Sequence, residues 1–384
     1  MSDSPQPAAS EGGTREPGAI RLFLCGDVMT GRGIDQVLPY PVAPHLFESW
    51  ARSALDYVAL AERASGSIGR GLEFAYPWGE ALAVLEQRRP HARIVNLETA
   101  VTTSEDAQPG KGIHYRMNPD NLPCLTRAGI DCCVLANNHV LDWGHAGLAQ
   151  TLACLHGAGV RVAGAGANAQ EASAPAVIEL APGGRVLVFA FGAPTSGVPR
   201  DWAATRARGG VNFLDEISAD SARDIAVLTA RHRRPGDIVV VSVHWGGNWG
   251  FGIGGEERAF AHRLIDEGGA DVLHGHSSHH VKGIEVRRGK LILYGCGDFL
   301  NDYEGIRGYG NFRSELSLMY FPELDAATGS LRRMHAMPMR IRRFRLERAP
   351  ADGVAWLRET LDREGRALGT RVTAAGDGTL ELHW

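Results

Sequence analysis

The sequence predicts an α/β fold in which sheets are sandwiched between helices. Short, uninterrupted apolar runs recur along the 384 residues and read as strands buried on both faces. Longer stretches of helical periodicity separate them, the alternation that places helices against a largely parallel sheet. Finally, polar residues able to carry chemistry cluster just after the apolar runs, where the strand ends of an open α/β sheet converge on one crevice.

The first predicted strand is Ile20–Cys25, which ends in Gly-Asp. Ala92–Leu97, Asp131–Leu135, Arg161–Ala165 and Arg185–Phe191 follow, then Ile238–Val243 (IVVVSV, the clearest), Asp271–Leu273 and Lys290–Tyr294. The predicted helices are Pro77–Arg89, Asn118–Ala128, Gly144–Ala158, Ala219–Arg233, Glu256–Gly268 and Asp352–Leu368, with a short strand after the last. Arg340, Arg342, Arg343 and Arg345 alternate with apolar residues and read as the wet face of an edge strand. The opening residues are polar, with acidic groups and no apolar core, so residues 1–19 read as a disordered tail rather than a secretory signal. A single domain is expected over 20–384.

With 44% hydrophobic and 22% charged residues the chain can bury a sizeable core. A net charge of −4 argues against a nucleic-acid partner, which calls for a basic surplus. No stretch approaches the roughly 18 apolar residues of a membrane helix, and a cytoplasmic location is expected. The six cysteines have no CxxC spacing, so they suggest neither a zinc knuckle nor a disulfide framework, and free thiols in a reducing compartment are expected.

Six strand ends each deliver Asp, Glu, Asn or His. They are Asp27 in CGDVMTGRG, Asn96 and Glu98 in VNLET, Asn137, Asn138, His139 and Asp142 in LANNHVLDWG, His244 in SVHWGGNWG, the histidines of LHGHSSHH, and Asp298 in YGCGDFLND. One such residue is ordinarily a cap or turn former; six in series exceed what turns need. Mixed oxygen and imidazole donors suit Mn²⁺, Fe²⁺ or Zn²⁺ better than Ca²⁺. His280 follows His279 directly and must point elsewhere if that stretch is extended, so not all four histidines can be ligands.

The order Gly-Asp, Asn-x-Glu, Asn-Asn-His, Val-His-Trp and Gly-His-x-x-His resembles the motif series of the calcineurin-like metallophosphoesterases. The wording GDVMTGRG, VNLET, ANNHVLDWG, VHWG, GHSSHHVKGIE and YGCGDFLND is similar to the CapA branch, the proteins of poly-γ-glutamate capsule biosynthesis. The resemblance spans roughly residues 20–320 and implies a four-layer α/β/β/α sandwich holding two divalent metal ions. It places Asp27 on the first metal, Glu98 at the bridging position, and Asn138 and His244 on the second, with His276 and His279 completing the pair. His139, oriented by Asp142, becomes the general acid or base; Arg32 and Asn96 become substrate contacts, Arg32 for an anionic group.

Two departures bear on this. Met29 stands where the superfamily has a metal-binding His, and Glu98 where it commonly has Asp, so the first site is expected to bind weakly, to recruit Asp298 or to stay empty. The implied activity is metal-assisted acid–base chemistry on a carboxylate-bearing amide or peptide, a small molecule or polyglutamate. The alternatives are epimerisation of a ribosomal peptide, plain phosphoester hydrolysis, or a non-catalytic part in capsule assembly.

Overall fold

The computed structural model describes residues 18–181, 183–308 and 310–384. The expected tail falls almost wholly outside them. Two large mixed sheets organise the chain. The first has ten strands, in the order Arg371–Ala374, Leu380–His383, Leu331–Arg342, Leu316–Asp325, Ala19–Val28, Ala92–Leu97, Cys132–Val134 and Arg161–Ala163. Asp298–Leu300 also pairs with Ala19–Val28, and Arg345–Arg348 with Leu331–Arg342. The second sheet runs Ile284–Arg287, Lys290–Leu293, Val272–His276, Asp237–His244, Arg185–Gly192 and Ala176–Glu179. Its four middle strands are parallel, as are Ala19–Val28 and the three strands that follow it in sequence order within the first sheet.

Side chains alternate across each strand, and the pleat divides them between cores. Leu22, Leu24, Ile94 and Val134 of the larger sheet share one core with Val186, Val188, Val240 and Val272 of the smaller. Phe23, Val95 and Cys133, on the other face of the larger sheet, pack with Val58, Val84 and Leu148 of the helices Ala54–Ser65, Ala81–Arg88 and Gly144–Gly157. Phe189, Val239 and Val241 pack with Ile225, Phe260 and Leu264 of the helices Ala219–His232 and Gly255–Asp266. All six cysteines are free, five of them buried. Among the described residues no helix is long and apolar enough to cross a membrane.

Several predicted elements end early for local reasons. Expected as one helix, Pro77–Arg89 is instead a 3₁₀ turn at Tyr76–Trp78 and a helix at Ala81–Arg88, separated by Gly79 at φ 44°. Asn118–Ala128 divides at Pro123, which opens the helix Pro123–Arg127. Gly164, at φ 86°, ends the strand begun at Arg161, and Ala165–Gly166 pairs with Gly210–Val211 instead. The arginine-rich stretch is a hairpin rather than one edge strand. It turns at Arg343 and Phe344, both at positive φ, while Arg340 and Arg343 reach back to Glu347.

Asp35 ties three loops beside the larger sheet. Its carboxylate accepts from the Asn118 and Val42 backbone N–H groups and from the Asn121 amide, at 2.8–2.9 Å. Asp35→Ala removes the acceptor of two half-buried backbone N–H groups and of the buried Asn121 amide, which keeps only the Tyr40 carbonyl. At about 1–3 kcal/mol for each, a loss of roughly 3–5 kcal/mol is expected in urea unfolding, with the denaturant slope unchanged.

Candidate metal centre

The strand ends bring the predicted residues together by register. Asp27 pairs with both Asn96 and Asp298 on its flanking strands, and His244 pairs with His276 in the smaller sheet. Two groups of donor atoms converge there: Asp27, His244 and His276 form one, and Asp27, His279 and Asp298 the other, each within 4.8 Å and every member buried. Asp27 is common to both. Its Oδ1 accepts from the Asn96 amide at 2.8 Å and its Oδ2 from the Ser277 N–H at 3.2 Å. Ser277 reaches that position with φ at 101°, a strained conformation for a residue bearing a side chain.

Glu98 is buried beside these groups. Its Oε1 lies 3.7 Å from His139 Nε2 and 3.9 Å from His244 Nε2, while its Oε2 has no hydrogen-bond partner among the described residues. Asn138 Oδ1 is 3.1 Å from His244 Nε2. His279 Nδ1 meets Asp298 Oδ1 at 2.8 Å, and Asn301 donates to the other Asp298 oxygen. His280 points elsewhere, its Nε2 accepting from the Gly250 N–H.

His139 stands at the edge. Its Nδ1 faces Asp142 Oδ2 at 2.6 Å; as a carboxylate only accepts, the ring hydrogen is on Nδ1 and the Nε2 lone pair faces Glu98. Asp142 also accepts from the Tyr115 N–H at 2.7 Å and from Lys111, whose ammonium reaches the Asn138 carbonyl as well. Lys111 carries no motif signal, and sequence reasoning missed it.

The electrostatics are those of a site short of positive charge. Burial, then the Asp298 carboxylate, push Asp27 up to about 7. Burial, Asp27 and Asp298 together raise Glu98 well above the usual carboxylate range. Burial also lowers His139 to about 4, although Asp142 pulls the other way. Three clustered carboxylates, an orphaned Glu98 oxygen and a mixed oxygen and imidazole donor set fit divalent cations.

Two expected substrate contacts are already engaged. The amide of Asn96 donates to Asp27 and accepts from Asn137, so both its ends are used inside the site. The Arg32 guanidinium bonds Glu48, Tyr57 and Asp302 and stacks 3.8 Å from the Tyr57 ring centroid, with its side chain 1% exposed. Glu48, Tyr57 and Asp302 were not anticipated as its partners, though Asp302 belongs to the YGCGDFLND stretch. Arg32→Ala strands two buried carboxylates, and a loss of about 3–5 kcal/mol in folding stability is expected; Arg32→Lys should recover only part of it, because an ammonium cannot span both partners. A chemical melt of the two variants measures this.

A cavity of about 320 Å³ opens beside His279, walled by Trp50, Ile113, Trp249 and Tyr303. Of the two tryptophans in HWGGNWG, Trp249 lines this cavity, while Trp245 is core, stacked on Tyr294 and edge-on to Phe260. Met29 is buried, and its sulfur accepts a long hydrogen bond, 3.7 Å, from the Tyr303 hydroxyl.

Residues 21–303 match the family model described as bacterial capsule synthesis protein PGA_cap. The chain is 47% identical over 367 residues to a protein of Mycobacterium tuberculosis (strain CDC 1551 / Oshkosh) named a probable polyglutamine synthesis accessory protein. That match covers 95% of this chain and 96% of the relative, and its counterpart in strain H37Rv matches equally. The PGA biosynthesis protein CapA of Bacillus subtilis (strain 168) is 26% identical over 284 residues, 74% of this chain and 63% of that protein. This chain therefore belongs to the bacterial capsule synthesis protein PGA_cap family.

Proposed function

We propose that this chain is a metal-dependent enzyme that performs acid–base chemistry on a carboxylate-bearing amide or peptide, in the setting of polyglutamine and PGA synthesis that its relatives' names describe. The observation that carries the reading is the buried Asp27, common to two donor groups, beside a Glu98 oxygen with no hydrogen-bond partner among the described residues. A fold made only to be stable would leave neither. The same reading takes the two sheets, with their shared core and flanking helices, as the four-layer sandwich of the calcineurin-like type.

Asp27, His244, His276, His279 and Asp298 would hold the ions, with Asn138 and Glu98 alongside. Two divalent ions, Mn²⁺, Fe²⁺ or Zn²⁺, would supply Lewis-acid polarisation of a carbonyl and a nucleophile at neutral pH. The protein's own part is proton transfer. His139, held by Asp142 with its Nε2 lone pair facing the centre, takes a proton there. As the imidazolium forms, Asp142 stabilises it, and Lys111 keeps Asp142 ionised. The cavity beside His279 gives the substrate's flanking groups a place with aromatic walls.

Metal analysis of protein purified with Mn²⁺ supplied is the first test. Stoichiometry near zero removes the enzyme reading and leaves an assembly role. With metal bound, γ-glutamyl amides incubated in deuterated water separate the chemistries. Cleavage without carbon-bound deuterium is hydrolysis, and deuterium without cleavage is epimerisation.

A further inference from the structure

Ser242 and His274 have no part in the reading above, yet they join the two sheets at the metal centre. Ser242 pairs in register with His274, and His244 with His276, so alternate residues of two parallel strands present four polar side chains to the same face. That face looks onto the larger sheet, where His274 Nε2 meets the Cys25 carbonyl oxygen at 2.7 Å.

That carbonyl fixes the hydrogens of the whole row. A carbonyl can only accept, so the His274 hydrogen lies on Nε2. His274 is fully buried, and no carboxylate bonds it among the described residues, so the ring is neutral and its Nδ1 is a lone pair. Ser242 Oγ, 3.2 Å from that Nδ1, must be the donor to it. Having spent its only hydrogen, the hydroxyl oxygen accepts from His276 Nε2, at 2.7 Å. The lone pair of His276 therefore lies on Nδ1. That atom is 3.9 Å from Asp27 Oδ1 and 2.7 Å from His244 Nδ1, inside the donor group.

We propose that Ser242 and His274 are positioning residues that lock His276 in the tautomer carrying its hydrogen on Nε2, so that Nδ1 is the atom it offers to the metal centre. The role toward metal rests on the proposed function; the tautomer does not. A ligating imidazole whose second nitrogen is tied to a fixed acceptor is held in both rotation and tautomer, and losing such an outer partner costs about 10–100-fold in metal affinity.

The test uses the full chain labelled with ¹⁵N-histidine. Two-bond ¹H–¹⁵N correlation spectra of metal-free protein report which nitrogen of each ring carries hydrogen, and the signal lost in His276→Asn assigns this ring. Wild type is expected to show His276 with hydrogen on Nε2. Ser242→Ala should mix the two tautomers and lower Mn²⁺ or Zn²⁺ affinity about 10–100-fold. Ser242→Thr, which keeps the hydroxyl, should restore both. Hydrogen on Nδ1 of His276 in wild type overturns the proposal, even if Ser242→Ala fails to fold. So does a folded Ser242→Ala protein with unchanged tautomer and affinity. If wild type binds none of Mn²⁺, Fe²⁺ or Zn²⁺, the metal-centre reading falls separately, and the spectrum still decides the hydrogen-bond row.

Discussion

Glu98→Gln is expected to abolish tight metal binding while leaving the metal-free fold at least as stable as wild type. Without cations, the Glu98 carboxyl is raised by burial and by the Asp27 and Asp298 charges. A carboxyl whose folded pKa exceeds its unfolded value favours folding fully only below the unfolded pKa. The metal-free protein therefore loses stability as pH rises from about 4.5 through neutrality. Glutamine is neutral throughout and removes that pH slope. Metal binding needs the opposite: a full negative charge and an open oxygen, which Oε2 supplies. The affinity loss should exceed the roughly 10–100-fold that outer-shell changes cost. Paired thermal melts with and without Mn²⁺ measure both effects. Wild type should gain stability on adding metal and Glu98→Gln should not. A variant destabilised without metal, or one stabilised by metal as much as wild type is, would make Glu98 a structural residue.

Much of the fold was legible because buried parallel strands are written as apolar runs. Ala92–Leu97 appears with its predicted bounds, and Asp237–His244 extends IVVVSV by a residue at each end. What escaped lacks that mark. The helix Ala54–Ser65 buries only Ala54, Tyr57, Val58 and Ala61, two of them alanines, a modest apolar face, although its start is marked by the capping pair Ser53 and Asp56. The long hairpin Leu316–Asp325 and Leu331–Arg342 intersperses arginines, Pro322 and Pro338 among its apolar residues, which hides strands that nonetheless pair along their length. The centre was legible in kind, since Asp27, His244, His276 and His279 all enter the converging groups. Its details depend on three dimensions. Asp298 takes a full place because its strand pairs directly with Asp27, while the shared carboxylate in these groups is Asp27, with Glu98 beside them. No spacing along the chain announces that Lys111 returns to Asp142, or that Arg32 is held by Glu48 and Asp302.

His139→Ala should leave metal content intact and lower turnover about 10²–10⁴-fold, the contribution of a positioned acid or base. The geometry separates His139 from the converging groups. Its Nδ1 hydrogen is committed to Asp142, and its Nε2 reaches only to 3.7 Å of Glu98 Oε1, so it stands at the rim with one lone pair facing in. Removing the ring leaves Asp142 paired with Lys111 and the Tyr115 N–H, so the loop keeps its remaining anchors. Asp142→Asn probes the same unit differently. An amide can present its oxygen to the His139 N–H, yet it cannot stabilise the imidazolium, and it weakens the hold of Lys111. Its turnover should fall on the same order as His139→Ala, and the double variant should fall scarcely further, because residues that act as one unit are not additive. Metal content by elemental analysis and rates on a γ-glutamyl amide that wild type turns over give the two readouts. If His139→Ala loses metal in proportion to activity, His139 is a ligand and the proton-transfer role fails. If the double variant instead multiplies the two single losses, the residues act independently and the pairing at 2.6 Å is not what orients the base.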